Sequence, residues 1–240
     1  VEVSILGESL SETAKNSIGY LPEERGLYKK TTVLQSLIYL ASLKGTRVEL
    51  ARSRAEELLS RVDMPPHKDK KIEELSRGMG QIIQFLATII HGPQLLILDE
   101  PFSGLDPVNT KLLKEIILEL RSQGKAIILS THMMSEIEAL CDRILMINKG
   151  CCVLYGELAK IKSRYRNNSV FLECDGMLGE IEGVVGKKDY GTYVELFLDR
   201  EMSPQKILEQ LLSHEVRIDR FEVSAPSLNE IFLQVVEKGR

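Results

Sequence analysis

The chain has 240 residues, 43% of them hydrophobic and 28% charged, a composition that excludes a disordered or collagen-like polymer and a single-core miniature. Lys and Arg number 31 against 35 Asp and Glu, leaving a net charge of -4; this argues against a partner such as nucleic acid coated over a large area, but permits a local phosphate site. Cys141, Cys151, Cys152 and Cys174 match no zinc spacing and two are adjacent, so neither a disulfide framework nor a metal knuckle is expected, and a reducing cytoplasm is the simplest home.

Residues 1–7 alternate like a strand running into a turn. From Thr32 to Lys44 apolar residues recur at Val33, Leu37, Leu40, Ala41 and Leu43, and from Val48 to Val62 at Leu50, Ala51, Ala55, Leu58 and Leu59; this spacing predicts two helices that pack together. Pro65 and Pro66 close that block. A third helix is expected from about Gly78 to His91, ended by Gly92-Pro93. Its apolar stretch, Ile82 to Ile90, contains Gln84 and Thr88 and falls well short of the roughly 20 residues needed to cross a bilayer. Leu95-Leu96-Ile97-Leu98 and Ala126-Ile127-Ile128-Leu129 read as strands buried in a parallel sheet, with a helix from about Val108 to Ser122 between them. A helix over Ser135 to Cys141 and a strand over Arg143 to Ile147 continue a repeated βα order, which implies a mostly parallel sheet with helices on both faces. Lys160 to Ser169 reads as a polar linker. Beyond it come strands at Val170–Cys174, Glu182–Val185, Thr192–Leu198 and Val216–Val223, with a short helix or loop after the first and a helix over Pro204–His214. That order predicts a small ferredoxin-like α+β module, followed by a terminal helix from Ser227 to Glu237.

The chemistry concentrates at the ends of the two buried strands. Leu98 is followed by Asp99-Glu100-Pro101-Phe102-Ser103-Gly104-Leu105-Asp106-Pro107. A carboxylate at the C-terminal end of such a strand lies where open α/β sheets bind ligands, and an adjacent one points elsewhere, so one can serve a metal ion and the other a water. Asp99-Glu100 alone would also fit an acidic strand end leading into a turn. Upstream, Leu75-Ser76-Arg77-Gly78-Met79 opens the third helix, where free backbone N–H groups and the helix dipole favour an anion; Ser76 taken alone reads first as a plain N-cap. His132 follows the second buried strand and is expected on the same sheet edge as the carboxylates.

Together these strings resemble the nucleotide-binding subunit of an ATP-binding cassette (ABC) transporter. On that resemblance Asp99 is the Walker B aspartate, Glu100 the catalytic glutamate, Ser103 to Asp106 the D-loop and His132 the switch histidine. Leu75 to Met79 looks like the signature motif, with Arg77 and Met79 in place of the commoner Gly and Gln, and with Ser76 and Gly78 retained. Ile18 to Tyr28 resembles the Q-loop region, with Glu23 where most members carry Gln. Glu23 and the ending Ala225-Pro226-Ser227-Leu228-Asn229-Glu230-Ile231-Phe232 are similar to an exporter branch that includes sodium and drug efflux systems.

The resemblance implies a partial P-loop ATPase core over residues 1–162, with a helical subdomain at about 29–91, and an accessory α+β domain over 163–240. It implies ATP and Mg2+ as ligands, Asp99 and Glu23 near the metal, Glu100 and His132 in catalysis, and Ser76, Arg77, Gly78 and Asp106 at the nucleotide. It also implies a transmembrane permease subunit and a second nucleotide-binding subunit as partners, on the cytoplasmic face of the membrane. No Gly-x-x-x-x-Gly-Lys-Ser/Thr occurs in the 240 residues; because the family places it ahead of the first strand seen here, N-terminal truncation is the expected cause, with the 240 residues inactive alone. The alternative is a catalytically retired cassette acting as a regulatory or scaffold module, against which intact Glu100 and His132 count. A cassette of translation or DNA repair would carry duplicated cassettes or a long coiled-coil insertion between Glu23 and Ser76, where a compact helical block is read instead.

Overall fold

A computed structural model describes residues 4–9, 11–24, 26–165, 168–175, 179–199, 201–213, 217–224 and 226–238. Its contacts divide the chain into two compact units, Val1–Met133 and Met134–Arg240. Residues 1–3 of the expected first strand, His214 and Val216 at expected element ends, and Ala225 of the C-terminal ending lie outside the described residues.

The first unit opens with a short hairpin, β1 (Ser4–Ile5) and β2 (Glu8–Ser9), then α1 (Glu12–Asn16) and β3 (Ile18–Leu21). Next come α2 (Val33–Leu43), α3 (Val48–Arg61), α4 (Arg77–Ile89), β4 (Leu95–Asp99), α5 (Pro107–Ser122) and β5 (Ala126–Ser130). Thr32 starts α2 with a reciprocal cap: its hydroxyl accepts from the Gln35 amide at 3.2 Å, and Gln35 Oε1 accepts from the Thr32 amide at 3.1 Å. α2 and α3 pack together; Val33, Leu37 and Ala41 of the first and Ala51, Ala55 and Leu59 of the second are buried.

β3, β4 and β5 form a parallel sheet in that order, with Ile18, Leu95 and Ala126 in register, then Tyr20, Ile97 and Ile128, and Asp99 beside Ser130. One face buries Leu21, Leu96 and Leu98 completely. α4 crosses β3 at Gly19, where a Cβ would come within 2.4 Å of the Thr88 carbonyl and 2.9 Å of Leu96 Cδ2; only glycine admits the helix at this distance. The other face presents Tyr20 and Ile128, both exposed. α4 itself is enclosed, with Ile82, Ile83, Phe85, Leu86, Ile89 and the following Ile90 buried. Each such side chain contributes about 1.5–3 kcal/mol before the entropy of ordering is counted.

The second unit contains α6 (Met134–Leu140), β6 (Arg143–Asn148), β7 (Cys151–Glu157), α7 (Leu158–Arg164), β8 (Ser169–Asp175), β9 (Val184–Asp189), β10 (Val194–Leu198), α8 (Pro204–Ser213), β11 (Arg217–Val223) and α9 (Leu228–Lys238). β6 and β7 pair as an antiparallel hairpin across Lys149-Gly150, both left-handed with φ of 49° and 76°, as a tight two-residue turn requires. One core joins Ile144, Met146, Leu158, Ile161, Leu228 and Ile231; Met134, Ile137 and Cys141 pack against it, which is why the division between units falls ahead of α6. A second core joins Val170, Leu172, Leu196, Leu198, Ile207 and Leu211 beneath an antiparallel sheet ordered β11-β8-β10-β9, the strand order of a ferredoxin-like module. Residues 179–183, between β8 and β9, hold no helix. The hairpin strand β7 is an addition to the sequence reading, and α7 replaces the first part of the expected polar linker; that helix buries only Leu158 and Ile161, too few to give its sequence a helical period. Among the described residues no helix is long and apolar enough to cross a membrane.

His91, just past α4, donates from Nε2 to the Ile18 carbonyl at 3.1 Å, while its Nδ1 is buried without a hydrogen-bond partner. Burial lowers its proton affinity below that of an ordinary imidazole; the Ile18 contact opposes this, and Lys44 and Arg54 add to it. The folded state therefore favours the neutral ring, whose contribution is complete above the ordinary imidazole pKa and is lost as the pH falls below it, where the unfolded chain binds a proton that the fold resists. His91→Gln keeps a donor but cannot charge. Its urea midpoint should fall less than wild type between about pH 7.5 and about pH 5.5; parallel pH profiles would remove His91 as a source of acid sensitivity.

Candidate functional site

The parallel alignment of β4 and β5 brings their C-terminal ends side by side. Asp99 ends β4 half-buried, and its Oδ1 accepts a short hydrogen bond from the Ser130 hydroxyl at the end of β5. Glu100 then leaves the strand in the left-handed region, with φ of 45°, a conformation that costs a non-glycine residue about 1–2 kcal/mol. Its backbone is held from both sides: its amide donates to the Ser130 carbonyl at 2.9 Å and its carbonyl accepts from the Ser103 amide at 3.1 Å. This turn aims the side chain back toward the residues after β5. The carboxylate accepts from Thr131 Oγ1 at 3.1 Å, the His132 amide at 3.0 Å and His132 Nδ1 at 2.8 Å.

An ionised carboxylate only accepts, so Nδ1 carries the proton in that contact, and a neutral His132 ring presents Nε2 as a lone pair. The Glu100 side chain is 17% exposed, and that of His132 is 83% exposed. The pair thus offers a largely buried base tied to an accessible imidazole. Asp99, Glu100 and His132 share one sheet edge, as the strand ends predicted. Ser130 and Thr131, which hold the two carboxylates, were given no role by sequence; the signal available was a pair of hydroxyl residues between a buried strand and the histidine.

The α4 end lies against the turn that follows Glu100. Ser76 is the N-cap, its Oγ accepting from the Met79 amide at 3.2 Å. Arg77 is exposed, and its stem lies over Gly104: a Cβ on that glycine would be 3.0 Å from Arg77 Nε. A Cβ on Gly78 would meet the Gly104 carbonyl at 3.4 Å. Asp106 caps α5, accepting from the Val108 and Asn109 amides at 2.9 and 3.0 Å and from the Asn109 side chain. The Asn109 backbone amide, then its side-chain amide, hold the Asp106 carboxyl below the usual carboxylate range.

Glu23 is exposed on the loop after β3 and, with Glu24, Arg77, Gln81 and Ser103, lines a polar cavity of about 540 Å³. Two buried α4 side chains reach the loops around this cavity. Gln84 Nε2 donates to the Pro22 and Glu24 carbonyls, each at 3.1 Å, bracketing Glu23, and Gln81 Nε2 donates to the Pro101 carbonyl at 3.2 Å. For Gln84 the sequence signal was a polar residue inside an apolar run.

Residues 2–103 match the ABC transporter family, and residues 156–236 match the family described as ATP-binding protein DrrA1-3-like, C-terminal domain. An uncharacterized ABC transporter ATP-binding protein of Alkalihalophilus pseudofirmus is 41% identical over 240 residues, covering 98% of this chain and 89% of that protein. The uncharacterized ABC transporter ATP-binding protein YhaQ of Bacillus subtilis is 40% identical over 237 residues, covering 98% and 79%. A solved structure of an ATP binding subunit of an ABC transporter superposes with a TM-score of 0.63 at 28% identity, covering 68% of this chain and 70% of its own. The chain belongs to the ATP-binding subunits of ABC transporters.

Gln84→Leu keeps the apolar packing of α4 and removes both bonds to the Glu23 loop, whose carbonyls can turn to water; it also removes the Gln84 Oε1, which is buried without a partner. Global stability should change by no more than about 1 kcal/mol, while amide exchange of Glu23, Glu24, Gly26 and Leu27 rises and that of α4 does not. Unchanged exchange in the loop would show that Gln84 does not hold it.

Proposed function

We propose that Asp99, Glu100 and His132 form the hydrolytic centre through which this subunit cleaves ATP. The observation that carries the reading is the Glu100 carboxylate, fixed by Thr131 and by two contacts to His132 at the edge of the parallel sheet. Glu100 is the base that orients the attacking water and draws its proton. With Nδ1–H on Glu100, His132 reaches a phosphate oxygen as a donor only when Nε2 is also protonated, so the imidazolium is the form that neutralises phosphate charge.

Among the described residues no cluster of three or more His, Cys, Asp or Glu side chains would hold a metal by itself. Asp99 nevertheless suits Mg2+, a hard cation that takes one or two carboxylates and completes its shell from phosphate and water. Asp99 would hold the ion, in part through water, with Glu23 as a second carboxylate on the tethered loop. Held there with ATP, Mg2+ would supply charge neutralisation to the phosphates. Ser76, Arg77 and Gly78 face the phosphate held by a second copy of the subunit, a role supported by the start of a 13-residue helix and by the exposure of Ser76 and Arg77. Asp106 serves the nucleotide indirectly, through the turn it closes.

ABC ATP-binding subunits pair with transmembrane components. In this reading the α2–α3 block and the Glu23 loop meet that component at the cytoplasmic face of the membrane, residues 1–162 act as the ATPase domain and residues 163–240 as the accessory domain. Glu23 in place of the commoner Gln, together with residues 226–232, supports the exporter branch. Having no Gly-x-x-x-x-Gly-Lys-Ser/Thr among them, the 240 residues by themselves bind ATP weakly and do not turn it over.

In the product of the complete reading frame, Glu100→Gln should abolish steady-state hydrolysis, by about 100-fold or more, while ATP binding persists and ATP-dependent dimers accumulate on size exclusion. Wild-type turnover in Glu100→Gln would refute the hydrolytic assignment and favour the scaffold reading.

A further inference from the structure

Gln81 is 2% exposed, on a helix whose other buried positions nearby are Gly80, Ile82, Ile83, Gln84, Phe85 and Leu86. A buried primary amide is costly unless bonded. Its Nε2 donates to the Pro101 carbonyl, the first carbonyl after Glu100. Pro101 has no N–H to donate, so the turn has one backbone anchor fewer at that point. Arg77 and Gly78, one turn earlier on the same helix, lie against Gly104 of the same turn.

The left-handed φ of Glu100 persists only where its surroundings over-determine it. Its own amide and carbonyl are bonded to Ser130 and Ser103; the next peptide is fixed by Gln81. We propose that Gln81 is a positioning residue for Glu100: its amide pins the Pro101 carbonyl and so keeps the Glu100 carboxylate directed at Thr131 and His132. The catalytic meaning rests on the hydrolytic reading above; the geometric claim does not.

The test uses His132 as the reporter. In the 240-residue chain with isotope-labelled histidine, nitrogen NMR should show His132 as the Nδ1–H tautomer, because Nδ1 faces an acceptor-only carboxylate. Gln81→Met removes the donor at nearly constant size, and Gln81→Leu removes it with a different apolar shape. In both, the Nδ1–H signature of His132 should weaken, while the His91 ring, bonded to Ile18 through Nε2, keeps its wild-type signals and certifies the fold. In the product of the complete reading frame, Gln81→Met should lower kcat by about tenfold or more and leave KM for ATP within about twofold, and the pH profile of kcat should change shape as the Glu100–His132 contact loosens. A folded variant with a wild-type His132 signature and wild-type kcat overturns the proposal. Failure of both variants to fold would likewise overturn it, assigning Gln81 to the stability of α4 instead. If Glu100→Gln leaves turnover unchanged, the hydrolytic reading fails on its own, and the His132 signature still decides the role of Gln81.

Discussion

Everything at the site depends on the burial of one helix. α4 lies so close to β3 that Gly19 has no room for a methyl group, and it is enclosed along most of its length. Apolar packing alone would fix its depth but leave its rotation and the loops around it loose. Its buried polar side chains supply the missing constraints: Gln81, Gln84 and Thr88 reach main-chain carbonyls or lie within reach of them at Pro101, at Pro22 and Glu24, and at Tyr20. A buried amide must find a partner, so Gln81 and Gln84 each fix a segment at a set distance from the helix, whereas the Thr88 hydroxyl donates to the Gln84 carbonyl of its own helix at 2.9 Å. The Glu23 loop and the turn after Glu100 are thereby referred to one rigid body, whose N-terminus is the Ser76–Gly78 end.

That common reference matters because the chemistry needs groups of opposite demand. In the proposed hydrolysis Glu100 is the base, which calls for a dry carboxylate, and His132 the group that reaches the ligand, which calls for a wet imidazole. The sheet edge separates them by exposure while a 2.8 Å hydrogen bond joins them. The left-handed backbone at Glu100 gives its side chain a direction that continued strand geometry would not. Ser130 then serves both residues at once, its hydroxyl donating to the Asp99 carboxylate and its carbonyl accepting from the Glu100 backbone amide.

Much of this was legible in the sequence, for physical reasons that also mark where legibility ends. α2 and α3 declare themselves by apolar spacing, and α4 by the Ser76 cap and the closing Gly92-Pro93. β4 and β5 do so by short runs of large aliphatic residues, and the placing of Asp99, Glu100 and His132 at one edge follows from parallel pairing. β7 and α7 escape because neither carries a clean period. The targets of Gln81 and Gln84 escape for a different reason. They are main-chain carbonyls 20 and about 60 residues away, and a carbonyl has no residue type to read. The backbone of Glu100 is equally silent, since glutamate is not a residue that advertises a positive φ. The resemblance implies Arg77 at the nucleotide; its stem lies on Gly104 of its own chain, so it ties the two loops whatever its guanidinium also meets.

Native-state hydrogen exchange under increasing denaturant measures most directly whether α4 and the turn after Glu100 move as one body. If they do, the amides of Glu100, Ser103 and Leu105, which donate to Ser130, Glu100 and Phe102, open with the same free energy and the same denaturant dependence as the central amides of α4. Exchange of those three amides at a far lower opening free energy, without denaturant dependence, would mean that the turn moves independently of the helix and that α4 does not set the position of Glu100.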